Sequence, residues 1–129
     1  MIEAIEVRKQ FSGREIIHGV SALFESGKTN LIIGKSGSGK TVLLKTLVGL
    51  YGADSGDILY HGRSLKSLSQ QQRHSLRQEI GMLFQGSALI DSLTVEENVM
   101  FPLDMFTDMS HDERRRRACA CLDRVNIQS

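Results

Sequence analysis

The chain has 129 residues, enough for one hydrophobic core but not two; 40% are hydrophobic and 24% charged, the balance of a globular protein rather than a disordered one. Sixteen Lys and Arg against fifteen Asp and Glu leave a net charge of +1, which excludes a broadly basic, nucleic-acid-coating surface. No apolar run approaches the roughly 20 residues of a membrane-spanning helix, and the N-terminus lacks the basic-then-apolar form of a signal peptide, so a cytoplasmic location is expected.

Residues 2–7 (IEAIEV) alternate apolar and polar and predict a strand. Two short strands are expected at 15–20 (EIIHGV) and 22–25 (ALFE), set off by Gly13 and the ESGK turn. The nearly continuous apolar run 29–34 (TNLIIG) predicts a strand buried on both faces. From Lys40 the period changes: Val42, Leu43, Thr46, Leu47 and Leu50 share one face of a helix. Residues 55–62 (SGDILYHG) form a strand pattern between turn glycines, and 80–84 (IGMLF) a second doubly buried strand. Three capping-box pairs, Ser69 with Gln72, Thr94 with Glu97 and Ser110 with Glu113, place helix starts near 70, 95 and 111. Pro102, the only proline, is expected to end or kink the second of these.

Near the C-terminal side, Ala118, Cys121, Leu122 and Val125 are expected to form an apolar helix stripe. Arg114 to Arg117 spread around most of a helix circumference and read as a solvated face. Cys119 and Cys121, two apart on a helix, point away from each other and read as free thiols, at least one of them buried. His18, His61, His74 and His111 lack the spacing of a metal site.

The chemistry concentrates at 34–41, GKSGSGKT, which satisfies G-x-x-x-x-G-K-[ST] between a predicted strand and a predicted helix. Gly37 and Gly39 permit backbone angles closed to other residues, so successive N–H groups can turn inward around a phosphate. The helix N-terminus behind them adds positive potential, Lys40 a mobile full charge, and the Thr41 hydroxyl a ligand for Mg²⁺. A GTPase is disfavoured, because neither N-K-x-D nor D-x-x-G occurs; a phosphate-loop kinase stays open. Asp91, in ALID, is the nearest candidate for a magnesium-holding carboxylate, although only three apolar residues precede it.

GKSGSGKT, then GLYGADSGDILYHG, then IGMLFQGSALIDSLTVEENVMFPL resembles, in order and spacing, the first half of an ATP-binding-cassette (ABC) transporter ATPase. The wording FQGSALIDSLTVEENVMFPL is most similar to the phospholipid-trafficking branch of that family. The resemblance implies an α/β fold: a P-loop NTPase (RecA-like) core with an N-terminal antiparallel β subdomain, incomplete at the C-terminal side. Residues 1–129 would be the N-terminal portion of one ATP-binding domain. It implies Gly34, Ser36, Gly37, Ser38, Gly39, Lys40, Thr41 and Val42 around the phosphates, Phe11 stacked on adenine, and Thr41 with Gln85 at Mg²⁺. Gln85 would also position the attacking water and, with Lys40, serve hydrolysis. A transmembrane permease would be met near residues 85–106 and a second ATP-binding subunit across a dimer, with no nucleic-acid partner. The chain would sit peripherally on the inner face of the cell membrane.

Two departures stand out: Val42 replaces a frequent second hydroxyl, and Ala53 a frequent proline. The signature LSGGQ-type loop, the apolar strand ending in Asp-Glu and the switch histidine have no counterpart. The run ending at Gly34 would then lack a parallel neighbour, leaving an apolar sheet edge. Two functions are therefore carried forward: the ATP-binding subunit of a transporter, for phospholipid, and a nucleotide- or permease-binding module without ATPase activity of its own.

Overall fold

A computed structural model describes residues 1–83, 86 and 88–127, which divide into two compact units, 1–82 and 83–129. The first unit holds strands β1 (Ile2–Phe11) and β2 (Arg14–Phe24), helix α1 (Lys40–Leu47), strands β3 (Ser55–Tyr60) and β4 (Arg63–Ser64), a single 3₁₀ turn (Leu65–Ser67) and helix α2 (Gln70–Gln78). Its four strands form one antiparallel sheet in the order β2-β1-β3-β4. Two-residue turns make both hairpins. Ser12-Gly13 joins β1 to β2 and His61-Gly62 joins β3 to β4, all four residues with positive φ, the twist that matches right-handed strands.

The expected strands at 15–20 and 22–25 are one continuous strand, because Gly19 (φ 69) takes up a bulge between the Val7↔Val20 and Arg8↔His18 pairs. A second bulge governs β1. Simple alternation would put Ala4 and Val7 on opposite faces, yet both are buried in the same core. The register slips between Ile5 and Arg8, where Glu6 adopts φ 44 and turns outward. That slip brings Val7 back to the face of Ala4, and it requires Gly56 opposite: a Cβ there would lie 2.3 Å from the Glu6 carbonyl oxygen.

The core is Ala4 and Val7 of β1, Ile17 of β2, Ile58 and Tyr60 of β3, and Leu43 and Leu47 of α1. Helix α1 therefore lies on this sheet through two leucines at i and i+4, each burial contributing about 1.5–3 kcal/mol. The Tyr60 hydroxyl donates to the Leu47 carbonyl (2.6 Å), satisfying a C-terminal acceptor of α1, and burial raises the phenol's pKa from 10.0 to about 12. Thr46, fully buried, donates its hydroxyl to the Val42 carbonyl one turn back (2.7 Å).

Neither 29–34 nor 80–83 is a strand; Phe84 lies outside the described residues. A doubly buried strand needs ladder partners for its backbone groups, and among the described residues the 29–34 run has none. Ile32 still packs against the core, but Leu31 and Ile33 are 82% and 81% exposed. The apolar sheet edge expected from the sequence is not formed; the run is instead a segment outside the sheet with two exposed apolar side chains.

The second unit contains helices α3 (Val95–Phe106) and α4 (His111–Arg124), which pack on each other and bury Met100 and Ala118. All three capping boxes form, with Ser69, Thr94 and Ser110 each accepting from the N3 backbone N–H while the N3 side chain returns the bond. Bonds from Ser110 hold the Glu113 carboxyl below its usual pKa. Helix α3 does not end at Pro102 but runs through it to Phe106, carried by its capping box and its packing on α4. The stripe of α4 also differs from expectation. Arg114, Ala118 and Leu122, at i, i+4 and i+8, turn inward, while Cys121 and Val125 are exposed. Arg114 turns inward to an ion pair, its Nε reaching Asp104 of α3 at 2.9 Å; a second pair joins Arg115 Nε to Glu96 at the same distance. Both thiols are free and neither is buried.

Replacing Gly56 by Ala sets a methyl against backbone and forces a positive φ, so the unfolding free energy should fall by about 2–4 kcal/mol in denaturant titration. Tyr60→Phe should cost about 1–2 kcal/mol at neutral pH. Because the folded pKa is the higher one, the hydroxyl's contribution is complete below pH 10 and declines as pH rises toward 12. The gap between the parent chain and Tyr60→Phe should therefore narrow over that range.

Candidate functional site: a phosphate loop on a pinned helix

The run 29–34 leads into a loop that turns back on itself, the Ser38 N–H donating to the Lys35 carbonyl at 3.1 Å. Gly37 and Gly39 have φ 76 and 99, both in the left-handed region. Gly39 is the N-cap of α1 and supplies no side-chain acceptor to the first-turn N–H groups, and the first turn carries no acidic residue that would oppose an anion there. Gly39 also touches the sheet: a Cβ would lie 3.0 Å from Ile16 Cγ2 and 3.3 Å from Ile17 Cδ1. Its small size lets the start of α1 rest directly on β2.

Lys40 curls back over the loop, its ammonium donating to the carbonyls of Gly34 and of Lys35, the latter at 2.8 Å. A full positive charge is thereby held against the loop by its carbonyls. Ser36, Ser38 and Thr41 are exposed, and Thr41 presents its hydroxyl in the first turn of α1. Val42, the position of one departure, packs against the core instead, so an apolar side chain suits it. Residues 34–41 thus form one glycine-rich turn closed over by the Lys40 ammonium, ahead of a helix start without a side-chain cap. A hydroxyl at its edge suits a hard cation shared with phosphate oxygens.

Phe11 stands at the end of β1, 40% exposed. Its ring meets that of Tyr51 edge to face, 5.3 Å between centroids at 73°, and Lys9 Nζ lies 5.2 Å from the Phe11 centroid. Asp54 fastens the segment after Tyr51 to β1, accepting from the Gln10 N–H at 2.7 Å and from Lys9 Nζ at 3.4 Å. The Gln10 bond and, more weakly, Lys9 depress its pKa. Tyr51 and Asp54 were not singled out by sequence reasoning. The available signal was an aromatic in the glycine-flanked LYGAD turn just after a helix.

Gln85 lies outside the described residues. Asp91 is exposed in the turn before α3, not at a strand end, and among the described residues no group of three or more His, Cys, Asp or Glu could hold a metal. In the same unit Asn98 ties that turn down. Its amide donates to the carbonyls of Ile90, Leu93 and Thr94 and accepts from the Ile90 N–H. Phe101 and Met105, one turn apart on α3, are both exposed. Among the described residues no helix is long and apolar enough to cross a membrane.

GKSGSGKT at the start of α1, with left-handed glycines at 37 and 39, marks the chain as a phosphate-loop protein. The family is particular: the ABC transporter family matches residues 17–129, and the chain belongs to it. It is 39% identical over 127 residues to the methionine import ATP-binding protein MetN of Rhizobium johnstonii, covering 98% of this chain and 35% of that protein. It is 35% identical over 128 residues to the cell division ATP-binding protein FtsE of Escherichia coli, covering 98% and 57% respectively. A bacterial ABC transporter cassette solved as a dimer superimposes with a TM-score of 0.81 at 30% identity, over 100% of this chain and 59% of that one. The same cassette bound to ADP and Pi gives 0.81 at 29% identity. Part of the cbiONQ transporter complex, cbiO1 from Clostridium perfringens, gives 0.77 at 27%, over 98% of this chain and 51% of that one. The chain therefore spans between about a third and three-fifths of the relatives it matches. The expected fold, an ABC cassette with an N-terminal antiparallel sheet, is borne out.

Proposed function

We propose that this chain is the ATP-binding portion of an ABC transporter subunit, in which ATP binding and hydrolysis drive transport through a membrane permease. The observation that carries the reading is the loop 34–41, with two left-handed glycines, an uncapped helix N-terminus and Lys40 folded over them. The N–H groups of this loop and Lys40 take the β- and γ-phosphates; Thr41 would hold Mg²⁺ with phosphate oxygens and water. Phe11 supplies a stacking face for adenine, and Gln85 the polar group beside Mg²⁺ and the attacking water. Both compact units belong to one ATP-binding domain. A second ATP-binding subunit contributes to hydrolysis, in keeping with the dimeric cassette that the chain resembles.

The permease contact is assigned to residues 85–106, where Phe101 and Met105 expose apolar surface on α3. This contact makes the protein peripheral on the inner face of the membrane. For the cargo we favour phospholipid, on the wording of residues 84–103, which resembles the lipid-trafficking branch; the named relatives serve methionine import and cell division. A second reading, a nucleotide- or permease-binding module without its own ATPase activity, is favoured by the exposed, unpaired Leu31 and Ile33 beside the loop.

Lys40→Ala should abolish ATP binding, at least a tenfold rise in Kd by calorimetry, with the fold retained by circular dichroism; unchanged affinity would refute the role of Lys40. For the cargo, a deletion strain should show altered outer-leaflet phospholipid content and normal methionine uptake; the reverse pattern would remove the lipid assignment.

A further inference from the structure

We infer that Tyr51 is a positioning residue for the base-stacking aromatic, joining the base end of the site to its phosphate end through helix α1. The inference rests on the reading of Phe11 as the adenine platform. Phe11 is the last residue of β1, next to the Ser12-Gly13 turn, where a hairpin is least constrained and a half-exposed ring is free to reorient. The ring is not left to itself. Tyr51 meets it edge to face at 5.3 Å, the arrangement favoured by the ring quadrupoles.

Tyr51 is in turn attached to α1. Its backbone N–H donates to the Lys45 carbonyl at 3.2 Å, the Leu50 N–H donates to the same oxygen at 2.9 Å, and Lys45 Nζ lies 5.6 Å over the Tyr51 ring. The following residues are closed onto β1 by Asp54, which donates its own N–H to the Arg8 carbonyl at 2.9 Å and accepts from the Gln10 N–H. Helix α1 thus carries the phosphate cradle on its first turn and the brace for Phe11 just past its last. Tyr51 is outside the buried core, so its ring serves Phe11 rather than the stability of the sheet. Restricting the Phe11 ring before a nucleotide arrives lowers the ordering cost of stacking on it. Such a brace acts on any base and not on phosphate, and it depends on the ring of Tyr51 rather than its hydroxyl.

The test measures, by calorimetry with Mg²⁺ present, the affinity of the full chain for ATP and for inorganic tripolyphosphate. The parent, Phe11→Ala, Tyr51→Ala, Tyr51→Leu and Tyr51→Phe are compared. Phe11→Ala should lose most of the preference for ATP, about tenfold or more. Tyr51→Ala and Tyr51→Leu should each lose about two- to tenfold of it, with tripolyphosphate affinity unchanged, while Tyr51→Phe stays within about twofold of the parent. The leucine variant keeps apolar bulk, so a folding defect confined to alanine leaves the test intact. If Phe11→Ala lowers the preference and neither Tyr51→Ala nor Tyr51→Leu does, the brace is refuted and the adenine platform stands. Equal weakening of both ligands by the Tyr51 variants also refutes it, since the effect would then lie in the cradle. No change in Phe11→Ala removes the platform and the inference together.

Discussion

Helix α1 is eight residues long, too short to persist by itself in water, and every property of the phosphate loop depends on its being held. The sheet holds it by different chemistry along its length. At the start, Gly39 is small enough for the backbone to rest on Ile16 and Ile17. In the middle, Leu43 and Leu47 enter the core, and Thr46 consumes its own hydroxyl within the helix. At the end, Tyr60 satisfies the Leu47 carbonyl. An N-terminus anchored in this way is held in place without a side-chain cap of its own, the condition under which a helix start can favour an anion.

The same sheet shows how a local irregularity decides a global arrangement. Without the Glu6 bulge, Val7 would face away from α1 and the core would lose one of its two largest fully buried side chains. The bulge exists because Gly56 lets the partner backbone approach closer than any Cβ would permit. A glycine in β3 therefore supports a helix that it does not belong to. On the other side of the sheet order, the Ser12-Gly13 hairpin delivers Phe11 to a position where Tyr51, just past the end of α1, meets it.

Legibility in the sequence followed the range of the interactions. The phosphate loop, the helix after it and three capping boxes were readable because each depends on residues within a few positions of one another. The buried strands at 29–34 and 80–84 were inferred from hydrophobicity alone, which reports a demand for burial but not whether a ladder partner is at hand. In the structure, Leu31 and Ile33 face outward and Leu83 is 91% exposed. The stripe of α4 was misplaced because Arg114 reads as a surface residue until its partner Asp104, on another helix, is known. Phe11 was singled out through resemblance alone, and its neighbour Tyr51 was not, since no local rule links positions 11 and 51.

The sequence by itself determined the family-defining loop, the helix starts, the turn residues and the absence of a long apolar span, all short-range consequences of side-chain type and spacing. Only the tertiary structure decided which face of β1 is buried, how α1 is pinned, why Val42 is apolar and which aromatic braces Phe11. Those outcomes depend on a register slip and on contacts between distant segments, whose energies exist only once the chain has closed on itself.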